Sequence, residues 1–294
     1  MKVLVTGATG FLGSHLCREL KKREIDFCIT SRNKSKNKWF EENNIKIYSL
    51  DLTNKNELSI LPDNINTVIN LAAATYSKNN KINYKDSVVI SKNISKWAQN
   101  IRIKHFIHIS SVAVDYKYLG DYNRGKKLSE QFLRSCKGLP LTVIKPCFIC
   151  GLGSGQQEKL NKLLKMLPII PIFGDNIKYP VFIDDVVKAI INCAQRPEIT
   201  IGKTYNLANT EGVSIREFFR LSAECMRKKP IYIRLPLMPI YKVLKAFNKV
   251  FPSFPINANQ LINLYQTITV NPENSLQELD FKPEKFKDFI VKTI

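Results

Sequence analysis

Tyr122 and Lys126 stand four residues apart in Tyr-Asn-Arg-Gly-Lys, and an apolar run ending in Ser110-Ser111 comes shortly before them. On a helix, positions i and i+4 share a face, so the phenol and the ammonium become neighbours. An unperturbed phenol has a pKa of about 10, and bringing it near 7 takes about 4 kcal/mol. One cation roughly 6 Å away, at an effective dielectric near 20, contributes about 2.8 kcal/mol. Lys126 falls short alone and suffices together with an oxidised nicotinamide. The chemistry these residues fit is general acid–base work on a carbinol or carbonyl while a dinucleotide carries hydride, with Ser111 hydrogen-bonding the reacting oxygen. A Tyr-x-x-x-Lys pair alone is common on surface helices. This one gains specificity from following Ser-Ser at the carboxyl end of a strand.

A dinucleotide turn stands at the N-terminus. The apolar run Lys2–Thr6 leads into Thr6-Gly7-Ala8-Thr9-Gly10-Phe11-Leu12-Gly13 and then a helical segment. Glycines there permit a tight turn, let backbone N–H groups approach a pyrophosphate and let the helix pack closely on the strand. The positive end of that helix then faces the phosphates. An NAD-selective site wants a carboxylate at the end of the second strand. This chain has Ile29-Thr30-Ser31-Arg32-Asn33-Lys34 instead. Ser31 and Arg32 suit a 2′-phosphate, so NADP is expected over NAD, with NAD as the alternative. Asp51 either accepts a hydrogen bond from the adenine amino group or caps Leu52-Thr53.

The strands that must carry these residues are Lys2–Thr6, Phe27–Thr30, Ile45–Leu50, Thr67–Ala72, His105–Ser110 and Leu141–Lys145. Most are rich in Val, Ile and Leu without polar alternation, as parallel strands covered on both faces are. Helical segments Gly13–Arg23, Ile82–Asn100 and Tyr122–Ser135 lie between them. The alternation predicts an α/β fold: a doubly wound, parallel Rossmann-type sheet with a smaller C-terminal substrate lobe. Residues 1–155 form the dinucleotide domain on this reading, with the sheet rejoined by about 178–208. Residues 156–177 and 209–294, broken by many prolines, form the lobe. Within it, Lys242–Phe251 reads as an amphipathic helix that packs on the core or, less expectedly, lies on a membrane surface.

Composition narrows the class. The chain has 294 residues, 44% hydrophobic and 24% charged, which suits a folded globular protein. Forty-five Lys+Arg against 25 Asp+Glu give a net charge of +20. The basic residues are spread along the chain, so no specific nucleic-acid site is expected. Seven scattered cysteines point to a reducing compartment. No transmembrane segment or leader is expected, because Val3-Leu4-Val5 already reads as a buried strand. A cytoplasmic location follows. No metal site is expected: Cys147-x-x-Cys150 stands alone, and His15, His105 and His108 are too few.

Here the chain resembles the extended short-chain dehydrogenases/reductases of the NAD-dependent epimerase/dehydratase family. The motifs carrying the likeness are the Thr6–Gly13 turn, Asn70-Leu71-Ala72-Ala73, Ser110-Ser111, Tyr122-x-x-x-Lys126, Lys145-Pro146, Val181-Phe182-Ile183-Asp184-Asp185-Val186, Tyr205-Asn206-Leu207-Ala208 and Glu278-Leu279-Asp280-Phe281-Lys282-Pro283. The resemblance implies that Ser111, Tyr122 and Lys126 are catalytic, Ser111 being chosen over Ser110 because Val114 follows it at the family's spacing. It implies that the glycine turn, Leu52, Leu71, Ala72, Ala73 and Pro146 line the cofactor, with Cys147 beside the nicotinamide. Nucleotide-sugar epimerases often have an Arg at the position of Lys178, which makes Lys178 a candidate for the substrate phosphate, against an exposed strand-edge lysine. The family pattern Asn-Val-x-Gly-Thr is here Ser87-Val88-Val89-Ile90-Ser91, and Gly125 precedes the lysine where relatives have Ser or Ala.

The expected activity is NAD(P)-dependent hydride transfer at a hydroxyl or carbonyl carbon of a nucleotide-linked or phosphorylated sugar. The alternatives are a 4-epimerase that retains NAD and a cofactor-binding assembly subunit. A dehydratase would want an acidic pair after Ser111, and only Asp115 is there. Small hydrophobic ketones or steroid-like alcohols form a further class, given the apolar Leu235–Phe254 segment. A homodimer is a frequent arrangement in that family.

Overall fold

The computed structural model describes residues 1–74, 83–251 and 258–293. Ile82, at the start of one expected helix, and the end of the Leu235–Phe254 segment beyond 251 lie outside the described residues. The first half alternates β1 (Val3–Thr6), α1 (Phe11–Lys22), β2 (Phe27–Ser31), α2 (Lys38–Glu42), β3 (Lys46–Ser49), β4 (Thr67–Asn70), α3 (Tyr84–Asn100), β5 (His105–Ile109), α4 (Asp121–Ser135) and β6 (Leu141–Pro146). There follow β7 (Ile149–Cys150), α5 (Gly155–Met166), β8 (Ile169–Ile172), β9 (Ile177–Lys178), β10 (Val181–Phe182), α6 (Ile183–Gln195), α7 (Pro197–Thr200) and β11 (Thr204–Leu207). The chain ends with β12 (Val213–Ser214), α8 (Ile215–Cys225), β13 (Ile231–Arg234), α9 (Leu237–Val250), α10 (Ala258–Leu264), α11 (Glu273–Glu278) and α12 (Phe286–Ile290).

Seven strands form one sheet in the order β11-β6-β5-β4-β1-β2-β3. Every pairing in it is parallel. All six expected strands are present. Alternate residues feed two cores, as a pleated strand requires: Val3, Val5, Ile29 and Ile107 pack with Leu16 and Leu20 of α1 and Val186 and Ile190 of α6. Leu4, Cys28 and Phe106 pack on the other face with Ile90, Ile94 and Trp97 of α3 and Leu133 of α4. The strand order reverses between β1 and β4, and the carboxyl ends there form the crevice where such sheets bind ligands.

The return to the sheet is narrower than the sequence suggests. Lys178 lies on β9, which pairs antiparallel with β12 outside the main sheet, and only β11 rejoins it, beside β6. The C-terminal stretch also returns: Leu279 and Phe281 are buried in the α1–α6 core because their apolar side chains close its edge. The rest of the lobe has its own core, with Leu164, Ile170, Ile172, Phe219 and Tyr265 packed together. Helix α9 is the exception, since none of its fourteen residues is buried.

Candidate active site

The glycine turn is built for close approach. Gly7 has φ +69°, and a Cβ there would stand 2.8 Å from Ala72 N and 2.9 Å from the Leu71 carbonyl carbon. A Cβ on Gly13 would overlap Gly7 O and lie 2.7 Å from Ala8 Cα. Gly10 caps α1 with no side-chain hydrogen bond, and the first turn carries no acid. Uncapped N–H groups behind a turn whose glycines leave the backbone bare fit a pyrophosphate. The strand ends are tied together by polar bonds: Thr6 Oγ1 donates to Asn70 Oδ1 at 2.7 Å and accepts from Ala72 N at 3.2 Å. Asn70 Nδ2 meets His108 Nδ1 at 3.3 Å. Burial first, then the charges of Lys126 and Arg134, hold His108 well below its usual pKa, so it is neutral.

At the end of β2, Ser31 is buried and donates to Asn37 Oδ1 at 2.7 Å. The Arg32 side chain is 59% exposed and lies 3.7 Å from Asp51 Oδ2. Asp51 Oδ1 accepts from Thr53 N and Thr53 Oγ1, both at 2.9 Å, so Asp51 caps its own loop. Leu52 is buried in the core on the α3 side, and Leu71 packs against the opposite one. Thr9, Ala72 and Ala73 are half-buried at the crevice strands, while Pro146 ends β6 buried.

Ser110 and Ser111 part company at the end of β5. Ser110 donates to Glu130 Oε2 at 2.7 Å, inside the fold. Glu130 also takes Arg134 Nη2 at 2.9 Å and Lys145 Nζ at 3.3 Å. Ser111 instead lines a cleft of about 1500 Å³, and Tyr122 lines the same cleft. The Ser111 Oγ accepts from Ala113 N at 3.2 Å, leaving its own proton to donate elsewhere. Lys126 is 3% exposed, with Nζ 6.0 Å from the centre of the Tyr122 ring. It donates to Ile109 O at 2.6 Å. Burial lowers its pKa to about 8, so it is largely charged at neutral pH.

Gly125 has a physical role. A Cβ there would stand 3.0 Å from Tyr84 O and 3.1 Å from Ser87 Oγ, so glycine lets α3 and α4 close on each other. Ser87 in turn accepts from Ala74 N at 2.9 Å.

Lys178 lines the cleft but is buried, not exposed on a strand edge. Its Nζ donates to Tyr116 Oη at 3.0 Å, to Asn263 O at 3.1 Å and to Gln266 O. Those acceptors use all three ammonium protons. Burial lowers its pKa to about 8. Gln266 further donates to Tyr118 O at 2.9 Å and accepts from Tyr118 N at 2.7 Å, tying the segment after Ser111 to the lobe. Sequence reasoning missed Tyr116 and Glu130. Glu130 shows in the sequence only as half of an i, i+4 pair with Arg134. Cys147 also lines the cleft, its thiol pushed up to about 12 by burial. Asp115 is held by Lys145 at 3.0 Å. Among the described residues no His, Cys, Asp and Glu cluster could hold a metal, and no helix is long and apolar enough to cross a membrane.

A parallel sheet with a glycine turn at its switch point, and a Ser, Tyr and Lys at the carboxyl end of β5 and the start of α4, is the Rossmann-type arrangement of a dinucleotide-binding fold. The sequence pattern of the NAD dependent epimerase/dehydratase family matches residues 3–208, and the chain belongs to that family. It is 25% identical to NADH dehydrogenase [ubiquinone] 1 alpha subcomplex subunit 9, mitochondrial, of Arabidopsis thaliana, over 98% of this chain and 76% of that one. It is 24% identical to the ceramide reductase of Caulobacter vibrioides, over 80% of this chain and 73% of that one. The fold is that of the UDP-glucuronic acid 4-epimerase of Bacillus cereus, solved with UDP-glucuronic acid and NAD: TM-score 0.74, 18% identity, covering 100% of this chain and 97% of that one.

Proposed function

We propose that this protein is an NADP-dependent oxidoreductase that moves hydride at a secondary carbinol or ketone carbon. The observation that carries the reading is the meeting of Ser111 and Tyr122 on one cleft, with the buried Lys126 charge 6.0 Å from the phenol ring. Tyr122 gives its proton to the carbonyl oxygen in reduction and takes it back in oxidation. Ser111 donates to the same oxygen and fixes its position. Lys126, desolvated and held on Ile109 O, favours the anionic phenol. The residues that would hold the dinucleotide are Gly7, Thr9, Gly10, Phe11, Leu12, Gly13, Leu71, Ala72, Ala73 and Pro146, with Arg32 on a 2′-phosphate and Leu52 behind the adenine end. Bound there, the dinucleotide supplies or accepts the hydride.

Two other readings have observations behind them. The solved relative holds UDP-glucuronic acid, which favours a nucleotide-linked sugar and a 4-epimerase retaining NAD. That substrate needs cations for its phosphates, and Lys178, the candidate, has its three donors engaged. Similarity to the Arabidopsis subunit over 98% of the chain favours an assembly subunit. The presence of Ser111 and Tyr122 on one cleft, with Lys126 buried behind the phenol, speaks for turnover. Tyr122→Phe decides it: turnover falls by about 10²–10⁴ with NADPH binding intact, whereas an assembly subunit shows no turnover in either form. A wild-type protein that binds NAD more tightly than NADP overturns the cofactor assignment.

A further inference from the structure

The cleft that receives Ser111 and Tyr122 is walled mostly by hydrocarbon. Its volume of about 1500 Å³ exceeds the roughly 300–1,000 Å³ of ordinary small-molecule sites. Ser111, Tyr116, Tyr122 and Asn123 form one polar group in the lining, with Cys147, Tyr179, Asn263 and Tyr265 elsewhere, whereas α5, α9 and α10 contribute Leu163, Met166, Ile240, Val243, Leu244 and Leu261. Helix α9 presents this apolar wall without a single buried residue, and Val243 is 70% exposed. A helix face that lines a cleft yet leaves apolar side chains open to solvent is one that a bound apolar molecule covers with gain. Three lysines also line the space. Lys178 has its protons committed, whereas Lys159 and Lys162 are exposed and share the cleft face of α5 with Leu163 and Met166, where their stems add apolar surface and their charges reach water. Beyond the Lys159 and Lys162 ammonium groups, a nucleoside diphosphate meets a lining that is mostly hydrocarbon.

We propose that the substrate is an amphiphile: a long-chain ketone or secondary alcohol whose oxygen meets Ser111 and Tyr122 and whose hydrocarbon tail lies between α5, α9 and α10. This rests on the hydride-transfer reading and names its substrate class. In the reducing direction the carbonyl carbon gains a C–H bond from the hydride of a reduced nicotinamide dinucleotide. The carbonyl π pair takes the Tyr122 proton, and solvent reprotonates Tyr122. The products are the alcohol and the oxidised dinucleotide.

The test titrates methyl ketones of increasing chain length, kept below their aggregation limits, into the NADP-saturated protein by calorimetry. Consumption of NADPH, and separately of NADH, is followed in parallel. Affinity is expected to rise about threefold to fourfold per added methylene. Val243→Asp is expected to flatten that series and weaken the longest ketone tenfold or more, and Met166→Asp, at another exposed wall position, to do the same; NADPH binding reports that each variant is folded. Affinity independent of chain length, a series unchanged in both variants, or UDP-glucose displacing the longest ketone overturns the proposal. A length-dependent series without consumption of either NADPH or NADH upholds the apolar subsite and sinks the hydride-transfer reading. Tyr122-dependent turnover of a UDP-sugar beside a flat ketone series does the reverse.

Discussion

Two tyrosine–lysine pairs stand at one cleft, with Tyr116, Tyr122 and Lys178 lining it and Lys126 buried behind Tyr122. Tyr122 and Lys126 share the first turns of α4, with the ammonium 6.0 Å from the ring centre. Tyr116 and Lys178 come from a loop and a strand of the lobe, with the ammonium 5.0 Å from the ring centre and hydrogen-bonded to the phenol oxygen. Burial lowers both lysines to about 8. What separates the pairs is how the protons are used. Lys178 gives one proton to Tyr116 and two to backbone carbonyls, and burial pushes the Tyr116 ionisation up. The described residues offer Lys126 a single acceptor, Ile109 O. A saturated lysine clamps two segments together. A lysine with protons to spare is an electrostatic tool for whatever lies above it.

Substituting the two lysines tests that difference first. Lys126→Met removes a Coulombic contribution of about 2.8 kcal/mol, so turnover is expected to fall about a hundredfold. Lys178→Met is expected to act on KM and on stability, through loss of the clamp, with kcat within about tenfold; equal kcat losses in steady-state assays would erase the distinction. Next comes pH. Lys126 titrates at about 8 in the fold against the usual 10.5. Between those values the unfolded chain binds a proton that the folded one has released, so stability rises with pH across that window. Below pH 8 both forms are charged and the burial penalty is constant. The stability of the wild type relative to Lys126→Met is expected to improve by roughly 3 kcal/mol from pH 8 to 10.5, read by urea unfolding; an unchanged gap would mean the ammonium is not desolvated.

Smaller effects probe the cofactor side. Gly13→Val forces a side chain onto Gly7 O and Ala8, which is expected to cost about 1–3 kcal/mol in thermal unfolding and to weaken dinucleotide binding. Arg32→Ser is expected to weaken NADP about tenfold and NAD less than about twofold, as loss of a charge-assisted bond on a 2′-phosphate does. Equal losses for both would assign Arg32 to its ion pair with Asp51.

The parts legible in the sequence are the local ones. Six strands read directly, most of them because they are apolar runs covered on both faces, while edge strand β3, KIYS, is only partly buried; Tyr122–Lys126 reads because helical spacing alone brings the two together. The surroundings of Lys178 were not legible: its acceptors include the backbone carbonyls of Asn263 and Gln266, 85 and 88 residues along the chain, which carry no side-chain signature. Gly125 looks like a helix defect until α3 is seen pressed against it. The apolar cleft is hidden for a similar reason. Only the Lys242–Phe251 part of α9 reads as a lobe helix with a core face; α5 and α10 fall in the proline-broken stretches, and only the arrangement of the three leaves apolar faces around an open space.

The most direct measurement is a stopped-flow single turnover with NADPH already bound, run on the wild type, Tyr122→Phe and Tyr116→Phe. Loss of hydride transfer in Tyr122→Phe alone, with NADPH still bound in all three, is the predicted result. Transfer that survives in Tyr122→Phe, or that disappears equally in Tyr116→Phe, contradicts the assignment of the proton to Tyr122.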